Sequence, residues 1–189
     1  GRTKLDIIVL PLLAMLVAGV VAVTLCPPVT WLLAKLGEGI ALATEFTPFF
    51  MGIIIAVVMG ILLTLPTSSA AIWVAIALNN TSDAMLLAGG AAVVGCCCHM
   101  VGFAVMSYKE NGVGGLVSQG IGTSMLQMGN IVKNPRIWIA PTLASAITGP
   151  LATCVFHMEM NGAAVSSGMG TCGLVGQIGV YTGWVNDIA

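Results

Sequence analysis

Apolar residues run through this chain in long stretches that no charge interrupts. Uncharged runs cover residues 7–34, 46–82, 84–108, 111–132, 137–158 and 160–186, and each is at least 22 residues long. A helix rising about 1.5 Å per residue needs roughly 20 apolar residues to cross the hydrocarbon layer of a bilayer. The pattern therefore predicts an all-α polytopic membrane protein, in which spanning helices are joined by broken or re-entrant ones.

Residues 5–26 read as a spanning helix, kinked if anywhere near Pro11 and ended by Pro27-Pro28. Residues 29–45 are amphipathic, with Trp31, Leu32, Leu36, Ile40 and Leu42 set against Lys35, Glu38 and Glu45, and are expected to lie along the interface. A second span covers 49–65 and is closed by Pro66 and the polar Thr67-Ser68-Ser69. Residues 70–78 are too short to cross alone; they make half of a re-entrant hairpin with the preceding segment, or the rest of a tilted span. Asp83 is the expected N-cap of a helix crossing over 84–106. Gly89, Gly90, Gly95 and Gly102 put that helix inside the bundle, because small residues let backbones approach closely in lipid.

The texture changes at Tyr108-Lys109-Glu110-Asn111, and fourteen glycines follow from there through Gly183. We therefore divide a single transmembrane domain, 1–189, into spanning helices with an interfacial segment (1–107) and a glycine-rich half (108–189). The second half embeds polar residues in apolar runs. Ser118, Gln119, Thr123, Ser124, Gln127 and Asn130 lie in the first run, breaks at Pro141 and Gly149-Pro150 in the second, and Ser166, Ser167, Thr171 and Gln177 in the third. Irregular backbone is tolerated at membrane depth only where protein or a watery cavity satisfies it, and transporters build substrate sites that way. A cavity lined by the second half is expected. Gly176, Gly179 and Gly183 are spaced to form one tight packing face.

Composition sharpens the membrane reading. Lys and Arg total 6 and Asp and Glu 7 in 189 residues, too few to solvate a soluble domain of this size. With a net charge of −1 there is no basic field to attract nucleic acid. Cys96, Cys97 and Cys98 point about 100° apart on a helix and cannot close on one metal. They read as small packing residues, and neither a metal nor a cofactor is expected. No phosphate-binding loop, nucleophile elbow or zinc-protease helix occurs, so energy must come from a gradient or a partner. Arg2 and Lys4 favour a cytoplasmic N-terminus. The chain starts Gly-Arg-Thr-Lys and enters an apolar stretch at once, from which we expect a fragment of a longer protein.

The candidate chemistry concentrates in Phe156-His157-Met158-Glu159-Met160-Asn161-Gly162. Ionisable groups inside a membrane are costly and therefore functional candidates. Glu159 can accept hydrogen bonds from hydroxyls or take a proton, His157 can shuttle one, and Asn161 can donate and accept. Such a set suits a sugar or another polyhydroxylated solute; as a surface loop it would be ordinary solvated polarity. Lys133-Asn134-Pro135-Arg136 reads as a turn, since Pro135 forces Asn134 out of helical geometry. Its basic pair could meet a phosphate, or follow the positive-inside tendency. Glu110 is either a substrate-side carboxylate or a plain loop charge. Asn111, Asn134 and Gln127 complete the candidate substrate-binding set, and His99 reads as a hydrogen-bonded interior histidine.

The stretch YKENGVGGLVSQGIGTSMLQMGNIVKNPRIWIAPTLASAITGPLATCVFHMEMNGAAVSSGMGTCGLVGQIG, with the opening KLDIIVLPLLAMLVAG, resembles the enzyme IIC-type membrane proteins of the sugar phosphotransferase system. It looks most like the divergent branch that includes perfringolysin regulator-like proteins. The resemblance implies the C-terminal part of an enzyme IIC-like transport fold, in a homodimeric carrier of the bacterial plasma membrane. It also implies a membrane subunit of a phosphoenolpyruvate-dependent sugar phosphotransferase. There an enzyme IIB-like donor passes a phosphoryl group to the bound sugar, and His157 and Glu159 are the best local match to the catalytic pair. Members of that branch can instead be regulators, so a membrane-bound solute sensor with the same fold is the alternative.

Overall fold

The computed structural model describes residues 6–78 and 81–188, and among the described residues it contains helices and no strand. Arg2 and Lys4, which bear on orientation, lie outside them.

Helix α1 (Asp6–Phe46) does not end at Pro27-Pro28 as its sequence suggests; both prolines lie inside it. It bends by 44° between a limb over 11–24 and a limb over 26–46. The bend places both prolines in the first turn of the second limb, where their missing N–H groups would be unpaired anyway. Thr24 and Thr30 hydroxyls donate to the carbonyls of Val20 (2.8 Å) and Cys26 (2.9 Å) on either side of the bend. The second limb does not divide as expected, because its large apolar residues and its charges are exposed alike and its small residues face the bundle. Gly37, Ala41 and Thr44 are buried, while Trp31, Leu32, Leu36 and Leu42 stay exposed beside a Lys35–Glu38 ion pair of 2.7 Å.

Helix α2 (Pro48–Thr64) matches its expected span to within a residue. Pro66 drives Leu65 into extended geometry (ψ 155°) and so stops it. Helix α3 (Ser69–Ala77) starts where the Ser68 hydroxyl accepts the Ala71 N–H, at 3.3 Å. It doubles back, so that α2, α3 and the second limb of α1 line one apolar pocket, as a hairpin would.

Helix α4 (Asp83–Val117) is capped by Ser82 rather than Asp83, which instead occupies the first turn. The Ser82 hydroxyl accepts the Met85 N–H at 3.4 Å. The chain does not break at Tyr108–Asn111. It stays helical to a kink at Gly112 (φ 57°, ψ −150°), geometry that only glycine reaches cheaply, and winds on through a π turn over 118–122.

Helix α5 (Met128–Lys133) and a 3₁₀ turn, Pro135–Trp138, lead to α6 (Ile139–Pro150). Pro141 does not interrupt α6, because it sits in its first turn. Pro150 loosens the far end into a π turn over 151–155, and the true break follows at Phe156. After an extended segment come α7 (Ala164–Ser167), a tight turn and α8 (Val175–Ile188).

Helices α2, α4 and α6 form the centre. Glycines make their approach possible: a Cβ on Gly95 would overlap the Ala56 backbone, and one on Gly149 the Gly52 carbonyl. Two described helices, Asp83–Gly122 and Pro135–Val155, are long and apolar enough to cross a membrane, and bent α1 makes a third if counted as one span. Six uncharged runs thus yield two or three long helices, because α2 has 17 residues and the glycine- and proline-rich runs break.

Candidate functional site

The sequence patch around His157 and Glu159 forms the extended segment after α6. Once the π turn closes (Phe156 N–H to Leu151 C=O, 2.9 Å), His157 takes a left-handed backbone, φ 44°. Met158 N–H then donates to Ala152 C=O at 2.9 Å, and Met160 N–H to Leu86 C=O of α4 at 3.0 Å. The segment lies in a track made by Gly89 and Gly90. A Cβ on Gly90 would collide with the Met158 carbonyl, and one on Gly89 would stand 3.0 Å from the Met160 Cβ. Met160 is buried in a small cluster with Val93 and Val180, which Met158 joins from the side. This anchoring leaves the intervening residues differently placed. His157 is exposed and Glu159 half-buried, and among the described residues neither side chain makes a hydrogen bond or ion pair. The Trp184 indole N–H of α8 ties the segment from behind, donating to the Glu159 carbonyl at 3.1 Å.

Asn161 continues this segment to the wall of a cavity of about 220 Å³ between α3, the start of α4 and α7. Its wall includes Trp73, Thr81, Leu86, Met160, Asn161 and Ser167. Trp73 is 2 % exposed and Ser167 1 %. The Ser167 hydroxyl has no hydrogen-bond partner among the described residues. No described residue lining the cavity is Asp, Glu, Lys, Arg or His. A larger cavity of about 450 Å³ lies at the α2–α3 turn. Its hydroxyls are already engaged with backbone: Thr67 donates to Leu62 C=O (3.1 Å), Ser69 to Gly168 C=O (2.7 Å), and Thr123 accepts Met125 N–H (3.2 Å).

The other sequence candidates are scattered. Gln127 is buried; its amide donates to Gln119 Oε1 (2.9 Å) and accepts from Asn130 Nδ2 (2.9 Å), a chain that satisfies itself. Asn134 is exposed and caps the following 3₁₀ turn, accepting the Arg136 N–H at 3.3 Å in the turn that Pro135 predicts. Glu110 and Asn111 are exposed on α4 just before its kink. His99 is fully buried, with Nδ1 3.1 Å from Gly95 C=O and Nε2 3.5 Å from the Thr142 hydroxyl. The cysteines pack: Cys98 Sγ lies 3.0 Å from the Thr148 hydroxyl, and Cys97 Sγ accepts from Gln177 at 3.3 Å.

Sequence reasoning missed Trp73 and Thr81, and saw Ser167 only as one of several polar residues in an apolar run. The signal that could have found the cavity was the lone tryptophan in a helix too short to span. That α3 meets α7 across 99 residues, through Ser69 and Gly168, is not written in any local pattern.

Comparison with curated proteins and with solved structures returns no match. A family does match: the model for Phosphotransferase system, EIIC covers residues 1–189, and so the chain belongs to that family, as a membrane component of the sugar phosphotransferase system.

Proposed function

We propose that this protein is a carrier of the sugar phosphotransferase type in the bacterial plasma membrane. It moves a small polar solute, coupled to phosphorylation by an enzyme IIB-like partner, and works as a homodimer. The observation that carries the reading is the family match along the whole of residues 1–189. The non-helical segment between α6 and α7 supports it, since such backbone beside a cavity is how carriers expose polar groups at membrane depth.

In this reading Asn161 contacts the solute, and Glu159 and His157 serve the transfer. The donor's phosphoryl bond breaks and a bond forms to a solute hydroxyl oxygen, whose proton passes to Glu159 or His157. Along the backbone Glu159 lies at most about 7 Å from Asn161. Glu110, Asn111, Asn134 and Gln127 remain outer candidates for the solute's path.

The test measures solute binding and phosphoryl transfer from a phosphorylated partner in membranes holding the full-length protein. Glu159→Gln and His157→Gln should lower transfer about 10²–10⁴-fold with binding kept, the usual worth of a general base. Unchanged transfer in both variants returns the pair to ordinary surface polarity. A solute sensor without transfer is the second reading, favoured by one observation: His157 is exposed, and neither His157 nor Glu159 lines the cavity. Normal binding with no transfer in the parent protein would select it.

A further inference from the structure

The apolar pocket lined by α2, α3 and the second limb of α1 is a groove of about 460 Å³. Its floor is made by Ile55, Met59, Trp73 and Ile76, each at most 6 % exposed, while Leu36, Ile54 and Val58 stand exposed along its rim. Apart from Lys35, every lining residue is aliphatic, methionine, glycine or tryptophan. Gly39 keeps the space clear on the α1 side, because nothing lies within 4 Å of where its Cβ would stand. About fifteen waters would fit at about 30 Å³ each, but a water needs roughly two to four polar partners and this floor offers almost none. In a bilayer such a groove fills with hydrocarbon. A covering helix, about 10–12 Å across, is too thick to enter it; a single acyl chain is thin enough.

The mouth of the groove says which lipid. Trp31, Lys35 and Glu38 follow one another at i, i+4 and i+7, on one face of the limb, and all three are exposed. Tryptophan beside charge belongs at headgroup level. The Lys35 ammonium and the Glu38 carboxylate are held together at 2.7 Å, so the mouth presents one charge of each sign. An exposed pair of this kind contributes little by itself, so a headgroup can share it at little cost. A phosphatidylethanolamine headgroup has the complementary charges: a phosphate to accept from Lys35, and a primary ammonium with three N–H donors for Glu38. A choline headgroup has no N–H to give Glu38, and the phosphatidylglycerol headgroup brings a negative charge towards that carboxylate with no ammonium to offset it.

We propose that this groove is a binding site for one acyl chain of a phosphatidylethanolamine, with the headgroup held by Lys35 and Glu38 beside Trp31. The site is independent of the solute and of phosphoryl transfer, and it stands or falls without them.

The experiment titrates the delipidated full-length protein in detergent with dioleoyl phosphatidylethanolamine, phosphatidylcholine and phosphatidylglycerol. Native mass spectrometry counts the bound lipids, and thermal melts follow stability. The parent should take up one phosphatidylethanolamine about fivefold more tightly than either other lipid, the scale of one exposed charged contact. Lys35→Gln should remove that preference. Glu38→Gln leaves the cation alone at the mouth, and should turn the preference towards phosphatidylglycerol. Gly39→Leu puts a side chain into the open groove and should lose the tight lipid. It should also leave the delipidated melting temperature unchanged or raised, since leucine is the better helix former.

Equal affinity for the three lipids in the parent would overturn the proposal, and so would a preference that Glu38→Gln leaves unchanged. Parent-like lipid uptake by Gly39→Leu would place the bound lipid elsewhere on the surface. A delipidated Gly39→Leu protein that melts well below the parent would show that protein, not lipid, fills the groove, and would overturn the proposal equally.

Discussion

Gly90 carries the local geometry of the candidate site, because the Met158 carbonyl occupies the space its side chain would fill. In a helix interior, glycine to alanine ordinarily gains about 0.8–1 kcal/mol. Here the added methyl meets backbone, which cannot swing aside as a side chain could. Gly90→Ala should therefore lower the melting temperature in detergent and lift the 156–162 segment off α4. Gly39→Ala is the control: that glycine is also helical, and an added Cβ would meet nothing within 4 Å, so the change should be neutral or stabilising. Equal behaviour of the two variants would mean that the segment does not lie in this track. At this scale the sequence was informative about kinds of residue but not about their neighbours. His99 reads as an interior hydrogen-bonded histidine and is one. Ser166 and Ser167 look alike in the sequence, yet it is Ser167 whose oxygen is left without a partner in the cavity wall.

Helix α8 shows what glycine spacing can and cannot say about an element. Gly176, Gly179 and Gly183 do form one packing face, as their spacing predicts. The face receives the chain over 160–170, not a neighbouring spanning helix: Gly176 meets Gly170, Gly179 meets Ser166 and Met160, and Gly183 meets Gly162. A large side chain there would push out the segment that carries Asn161 and Ser167. Gly179→Leu should melt several degrees below the parent and lose solute binding with it, whereas Ile178→Leu on the exposed side should change neither. Parent-like melting of Gly179→Leu would mean that the face looks into lipid. Periodicity located this face because it is local. Breaks were harder: Pro27, Pro28 and Pro141 signal helix ends, yet each falls in a first turn where proline is harmless. The real interruptions come at Gly112, whose φ of 57° lies outside helical geometry, and after the π turn that ends at Val155, and neither is marked by a proline at the break.

For the whole molecule the bilayer is the solvent, and it sets a condition on the non-helical segment between α6 and α7. Carbonyl and amide groups that are not helical cannot face hydrocarbon, where each unsatisfied one costs several kcal/mol. Two of this segment's amides are satisfied by Ala152 and Leu86, and the Glu159 carbonyl by Trp184. The exposed side, where His157 sits, must then face water or a partner protein for the arrangement to survive in a membrane. A membrane-impermeant maleimide can decide this, because the reactive thiolate forms only where water reaches it. In a background with Cys26 and Cys154 changed to serine, His157→Cys should label readily from one side of sealed vesicles, and Ser167→Cys hardly at all. A saturating sugar should slow labelling at 157, if closing over the solute covers the segment, and leave an exposed control such as Glu38→Cys unaffected. Labelling at 157 that is fast and blind to every solute would make the segment an ordinary surface loop. Absence of labelling from either side would put His157 against protein, and the partner chain of a homodimer would be the first surface to look for.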